Sequence, residues 1–213
     1  MLLESIEYSQ FEKTAQEWIL ENCTFDRINL IVGKNASGKS RTLNIIYGLA
    51  NLLCGYHQMI YTGGNYQVTF DDDGSRINYT LRYKNRKVVK EKVDINSINR
   101  LIRGTKGKGK IFYNELNKKM QFQTPENALA SVARRDDIQH PFLQVLSDWG
   151  TYTTLYKFGT TLGQDRLVVF KTDKERAEKS ELDLKDQNIV VAALKQGLSK
   201  YSEVFSNSVI KDM

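Results

Sequence analysis

With 213 residues, 40% of them apolar and 26% charged, the chain is long enough to bury a core without disulfide or metal staples. No apolar stretch approaches the roughly 18 residues of a membrane span, which excludes a transmembrane helix. The formal charge of +6, from 31 basic and 25 acidic side chains, suits an anionic partner.

The first ten residues carry two acids and no base, the wrong sign for a secretory signal, so a cytoplasmic location is expected. Residues 2–11 alternate weakly, as in an antiparallel strand, and 13–20 continue toward a second strand or a helical turn. Cys23 is read with Cys54 as one of two small buried hydrophobes. The β-branched run 27–32, ending in glycine, predicts a strand buried in a sheet. From Lys39 to about Cys54 the residues Leu43, Ile46, Tyr47, Ala50 and Leu53 mark one face of a helix.

Past Gly63-Gly64 the period changes to two. Tyr66, Val68 and Phe70, then Ile77, Tyr79, Leu81 and Tyr83, alternate with polar residues about Asp73-Gly74, which predicts a β-hairpin with one wet face. Residues 87–93 extend it into a meander, 95–102 are read as a short helix, 104–110 as a flexible cationic loop and 111–113 as a strand. Segments 126–132 and 141–146 read as helices, 167–170 as a brief apolar run and 185–205 as a long helix. Leu146-Ser147-Asp148-Trp149-Gly150 reads as a helix C-terminus closed by Gly150.

The segment richest in chemistry is Gly33-Lys34-Asn35-Ala36-Ser37-Gly38-Lys39-Ser40, which satisfies G-x-x-x-x-G-K-[ST] in full. Between a strand and a helix, such a loop turns its backbone N–H groups toward one point where the helix end also favours an anion. Gly33 and Gly38 let the backbone approach phosphate oxygens, Lys39 faces the β- and γ-phosphates, and the Ser40 hydroxyl ligates the Mg²⁺ that bridges them. Lys39 is thus the candidate catalytic residue, ATP and Mg²⁺ are the expected cofactors, and Arg41 closes the binding segment. No apolar strand ending in the Asp-Glu pair of a hydrolytic site is legible: 66–72 alternates, 111–115 has Asn114 at the metal position, and 167–170 is followed by Lys171.

Phe25 to Ile46, FDRINLIVGKNASGKSRTLNII, resembles the N-terminal P-loop of ABC-type ATPases related to SMC and DNA-repair proteins, especially bacterial AAA family ATPases of the OLD and phage-defence kind. Asn35 makes the match more specific than the bare motif. The resemblance covers roughly the first 95 residues. It implies an α/β P-loop NTPase half-domain, an ABC-ATPase-like N-terminal lobe with a mixed sheet and accessory antiparallel hairpins. The P-loop core would occupy 1–60, the hairpins and basic loop 61–120, and a mainly helical segment 121–213. It also implies that the signature and Walker B motifs lie in a C-terminal lobe outside this sequence. Partners would then be a second ATPase head or a homodimer and an effector protein, in DNA maintenance or antiviral defence, with weak or no hydrolysis by the chain alone. The glutamine that senses the γ-phosphate in that family is not assigned: Gln139 is a candidate, with Gln67 and Gln144 close behind, and His57 and His140 read as structural.

Between Arg82 and Lys119 stand thirteen basic and three acidic residues, a local net of +10 that leaves −4 for the rest. Lys106, Lys108 and Lys110, in a Gly-Lys repeat, are the candidate nucleic-acid contacts. Two rival readings remain: a P-loop small-molecule kinase with Arg134-Arg135 as a cationic lid, and a non-catalytic module in which ATP is structural and the basic segment makes the functional contact.

Overall fold

In the computed structural model, which describes residues 1–56 and 63–155, eight strands join into one sheet of order β2-β1-β3-β4-β5-β6-β7-β8. The strands are β1 (Leu2–Gln10), β2 (Trp18–Thr24), β3 (Gly63–Asp72), β4 (Ser75–Lys84), β5 (Lys87–Ile95), β6 (Ile98–Arg103), β7 (Lys108–Tyr113) and β8 (Lys118–Gln123). Helix α1 (Lys39–Cys54) lies between β2 and β3 in sequence, and α2 (Ala130–Ala133) and α3 (Pro141–Tyr152) follow β8. Every adjacent pair is antiparallel.

The meander follows from its turns. Asp73-Gly74, Asn85-Arg86 and Asn96-Ser97 each hold both loop residues at positive φ, the two-residue geometry whose twist matches that of the flanking strands. The Asp71 carboxylate accepts the Gly74 N–H at 2.8 Å and locks the first of them. The helix expected over 95–102 is therefore a turn and strand β6: Asn96 and Ser97 reverse the chain before any helical turn can form. Likewise 104–110 is no flexible loop. A single 3₁₀ turn, Thr105–Gly107, leads straight into β7. The helix expected over 126–132 shrinks to the four residues of α2.

Side chains alternate across the sheet in continuous rows. One buried row runs Ile6, Val68, Tyr79, Val93, Leu101, Ile111 across six strands, and the next runs Tyr8, Tyr66, Leu81, Glu91, Arg103, Gly109, Phe122, all buried but the half-buried Gly109. Helices α1 and α3 belong to the same core through Ile45, Leu49, Leu53, Leu143 and Leu146. Helix α1 forms where its period places it, but Leu43 is exposed and Ile45, Leu49 and Leu52 turn inward instead. Gly150 does not close a helix. It sits inside α3 facing α1, where a β-carbon would collide with the Ala50 carbonyl, so glycine here sets how closely the two helices cross.

Glu91 and Arg103 are a cross-strand pair inside the second buried row, and both are fully buried. Glu91 Oε2 accepts the Ala130 N–H at 2.6 Å and Oε1 the Ser131 N–H at 3.0 Å, which caps α2, while the Tyr79 hydroxyl donates to Oε1 at 3.2 Å. Arg103 lies 3.8 Å from Glu91 and donates to the carbonyls of Pro125, at 2.8 Å, and Ala128. Burial and then the Glu91 charge hold the Tyr79 hydroxyl well above its ordinary range, and burial pulls the Arg103 guanidinium below its own.

His140, at the start of α3, is buried, with Nδ1 2.9 Å from the Phe112 carbonyl and its ring edge-on to Tyr113. Burial pulls its imidazole below the ordinary range. The unfolded chain therefore takes up the proton more readily, so this contribution to stability is complete above the unfolded value of about 6.5 and shrinks as pH falls through it. Thermal melts should show a lower midpoint at pH 5.5 than at pH 7.5, with a smaller difference in His140→Asn.

The expected α/β architecture with a mixed sheet is overturned: the described sheet is antiparallel throughout. The physical reason is the run 27–32, predicted as a buried strand. It pairs with no strand among the described residues, and Ile28, Leu30 and Val32 are 92%, 86% and 75% exposed. Asp26 and Asn29 instead form a local turn, the Asp26 N–H donating to Asn29 Oδ1 at 2.9 Å and Asn29 Nδ2 to the Asp26 carbonyl at 2.6 Å. A β-branched run becomes a strand only where a neighbour supplies the other half of its ladder. Cys23 and Cys54 are free and half-buried. No described helix is long and apolar enough to cross a membrane. The readings over 167–170 and 185–205, and His57, lie outside the described residues.

Candidate phosphate-binding site

The 33–40 loop links the exposed run to α1, and its local conformation is that of a bend closed on its own lysine. Ala36 and Gly38 both have positive φ, at 63° and 94°. Gly38 is the N-cap of α1 in the left-handed region, which glycine occupies without strain. At Gly33 a β-carbon would stand 2.8 Å from Ser37 Oγ. Lys39 curls back so that Nζ donates to the carbonyls of Gly33, at 2.6 Å, and Lys34, at 2.7 Å. The Ser37 N–H donates to the Lys34 carbonyl at 3.3 Å, and the regular α1 ladder begins at Thr42, whose N–H donates to Gly38.

The N–H groups of Gly38, Lys39 and Ser40 have no acceptor among the described residues, and α1 has neither a capping side chain nor an acid in its first turn. Free donors at a helix end thus stand in the same loop as one ammonium, with no carboxylate in the first turn, an arrangement that favours an anion. Gly33, Lys34, Asn35, Ala36, Ser37, Gly38, Lys39 and Ser40 are thus brought together as one loop.

Trp18 and Gln10, which the sequence did not flag, support it. Trp18, at the start of β2, lies beneath α1: a β-carbon on Gly38 would sit 3.5 Å from its ring. The Arg41 guanidinium stacks on the same ring at 4.4 Å and donates to Gln10 Oε1 at 3.2 Å. Arg41, expected in the binding segment, is thereby tied to the strands beneath the loop. Nothing in the local pattern around Trp18 could have revealed this, because β1 and β2 bring it there from twenty residues upstream.

Ser40, the residue expected to hold Mg²⁺, is exposed in the first turn of α1. No cluster of three His, Cys, Asp or Glu side chains able to hold a metal exists among the described residues. The candidate sensor glutamines are engaged with other side chains: Gln67 with Glu7, Gln139 with Glu115, and Gln144 with Asp148. Arg134 donates to the Gln123 carbonyl at 2.9 Å and Arg135 to Ser147 Oγ, so the pair expected as a kinase lid is anchored to β8 and α3.

The lysines singled out for nucleic acid divide. Lys106 is at the 3₁₀ turn, whereas Lys108 and Lys110 are strand residues on the sheet face opposite the helices. Their intervening glycines serve packing: a β-carbon on Gly107 would collide with the Thr124 carbonyl, and one on Gly109 with the Ile102 carbonyl. Arg103, counted within the basic block, is in the core. Compared with protein-family models, curated proteins and solved structures, the chain matches none.

Proposed function

We propose that the 33–40 loop binds the phosphates of a nucleoside triphosphate, ATP in the first instance. One observation carries this reading: the Lys39 ammonium is already drawn into a bend whose outward N–H groups at Gly38, Lys39 and Ser40 are free. On binding, phosphate oxygens would replace the Gly33 and Lys34 carbonyls as acceptors for Nζ, and the Ser40 hydroxyl would contribute to Mg²⁺ held by the same phosphates.

The chain acts as a nucleotide-binding lobe that a second chain completes, a second copy or a partner lobe. The exposed Ile28, Leu30 and Val32 immediately before the loop support this, because an apolar β-prone run beside a ligand site is a ready surface for pairing. The resemblance of residues 25–46 to the P-loop of ABC-type and SMC-like ATPases supports an ATP-driven association of two such chains, with DNA maintenance or antiviral defence as the setting.

Titration calorimetry on the full chain tests the binding step. Heat is expected with ATP in the presence of Mg²⁺; its absence with ATP, ADP and GTP alike overturns the reading. Sedimentation velocity with and without Mg²⁺ and ATP reads the association, expected as a faster-sedimenting species only with nucleotide.

A further inference from the structure

The face of the sheet opposite the helices carries a cationic platform, and we propose that it binds single-stranded nucleic acid. Its central row is Glu7, Gln67, Thr80, Lys92, Ile102, Lys110 and Gln121, each opposite the next across seven strands. No residue of that row is buried. Toward β8 the row and its neighbours become positive: Arg100, Lys108, Lys110 and Lys119 surround Ile102 and Phe112.

Charge is the first argument. Lys92 is neutralised by Asp94, but Arg100, Lys108, Lys110 and Lys119 form no ion pair among the described residues. Lys108 and Lys110 project to the same side, about 6.7 Å apart along the strand, with neighbouring strands about 4.8 Å away. Like charges so close repel until a polyanion spans them. The glycine between them contributes nothing to this face. Gly109 lies in the buried row between Arg103 and Phe122, so the Gly-Lys repeat is an alternating strand whose inner position must be glycine and whose outer position is a cation.

The second argument separates a nucleic acid from other polyanions. The Arg100 guanidinium lies over the Phe112 ring at 4.3 Å, and Ile102 is 41% exposed in the adjacent row. Planar and apolar surfaces set among cations on an open sheet accept unstacked bases while the cations follow the backbone. A duplex hides those base faces, which favours a single strand.

Anisotropy of a labelled 20-nucleotide oligo(dT) tests the proposal on the full chain. Four phosphate contacts predict affinity falling about 50-fold between 50 and 200 mM salt. Lys108→Glu with Lys110→Glu should bind at least ~10-fold more weakly at 50 mM and lose only about 7-fold over the same range, as two remaining contacts require. Lys13→Glu with Arg27→Glu, which changes net charge equally, should move affinity less than about twofold. Thermal melts verify folding, and Lys108→Gln with Lys110→Gln serves if the glutamates unfold the strand. The proposal is overturned by no binding, by equal loss in both charge-reversed doubles, by a 20-base-pair duplex binding as tightly, or by Lys108- and Lys110-dependent binding to phosphatidylserine vesicles but not to the oligonucleotide.

Discussion

Lys39→Ala is expected to lower the affinity for ATP with Mg²⁺ at least ~100-fold by calorimetry, with little change in melting temperature. The side chain donates two hydrogen bonds to loop carbonyls in the free protein and would exchange them for charged phosphate oxygens in the complex. A charge-assisted hydrogen bond contributes about 1.5–3 kcal/mol. Losing the ammonium from a phosphate site therefore costs on the order of 3 kcal/mol, a little over 100-fold. Lys39→Arg should recover only part of this, because the planar fork is too large for a bend closed on a single point charge. Unchanged ATP affinity in Lys39→Ala would remove the loop from the binding site even if ATP bound elsewhere.

The second large effect concerns the buried pair. Glu91→Ala should destabilise the protein by about 3–5 kcal/mol in urea unfolding, since it strands a fully buried guanidinium without its countercharge. It also removes the acceptor for the Ala130 and Ser131 N–H groups. Glu91→Leu combined with Arg103→Met should recover the part of the loss owed to the stranded charge, but not the part owed to the hydrogen bonds with Ala130 and Ser131, because an apolar pair of similar volume leaves no uncompensated charge in the row between Leu81 and Gly109. Equal losses in the single and the double variant would mean that packing and the lost hydrogen bonds of Glu91, rather than the stranded charge, set the cost.

The two regions differ in how much of them was legible in advance. Local turn chemistry is written in neighbouring residues, so Asp73-Gly74 announced its hairpin, and Tyr66, Val68 and Phe70 turned inward as their alternation required. Helix α1 was equally plain, from its start at Lys39 to its end before Gly55. The stretch 27–32 misled because its composition is that of a buried strand while the ladder that would make it one is absent among the described residues. Gly150 read as a helix stop and Gly109 as part of a flexible cationic loop. Both are close-approach positions, fixed by the Ala50 carbonyl in one case and by Ile102 and Arg103 in the other.

Order along the chain, by itself, specified the glycine-bounded bend from Gly33 to Ser40, the meander from β3 to β5 and an excess of cations between Arg82 and Lys119. Those features depend on residues a few positions apart, where backbone preference and turn chemistry act directly. Only the folded sheet decided that Arg103 leaves the cationic set to pair with Glu91 in the core, that Lys108 and Lys110 share an open face with Arg100 and Lys119, and that Trp18 braces the loop. Each of these is a cross-strand or strand-to-helix contact, set by register between distant segments, and one residue of slip would turn every one of them to the opposite face.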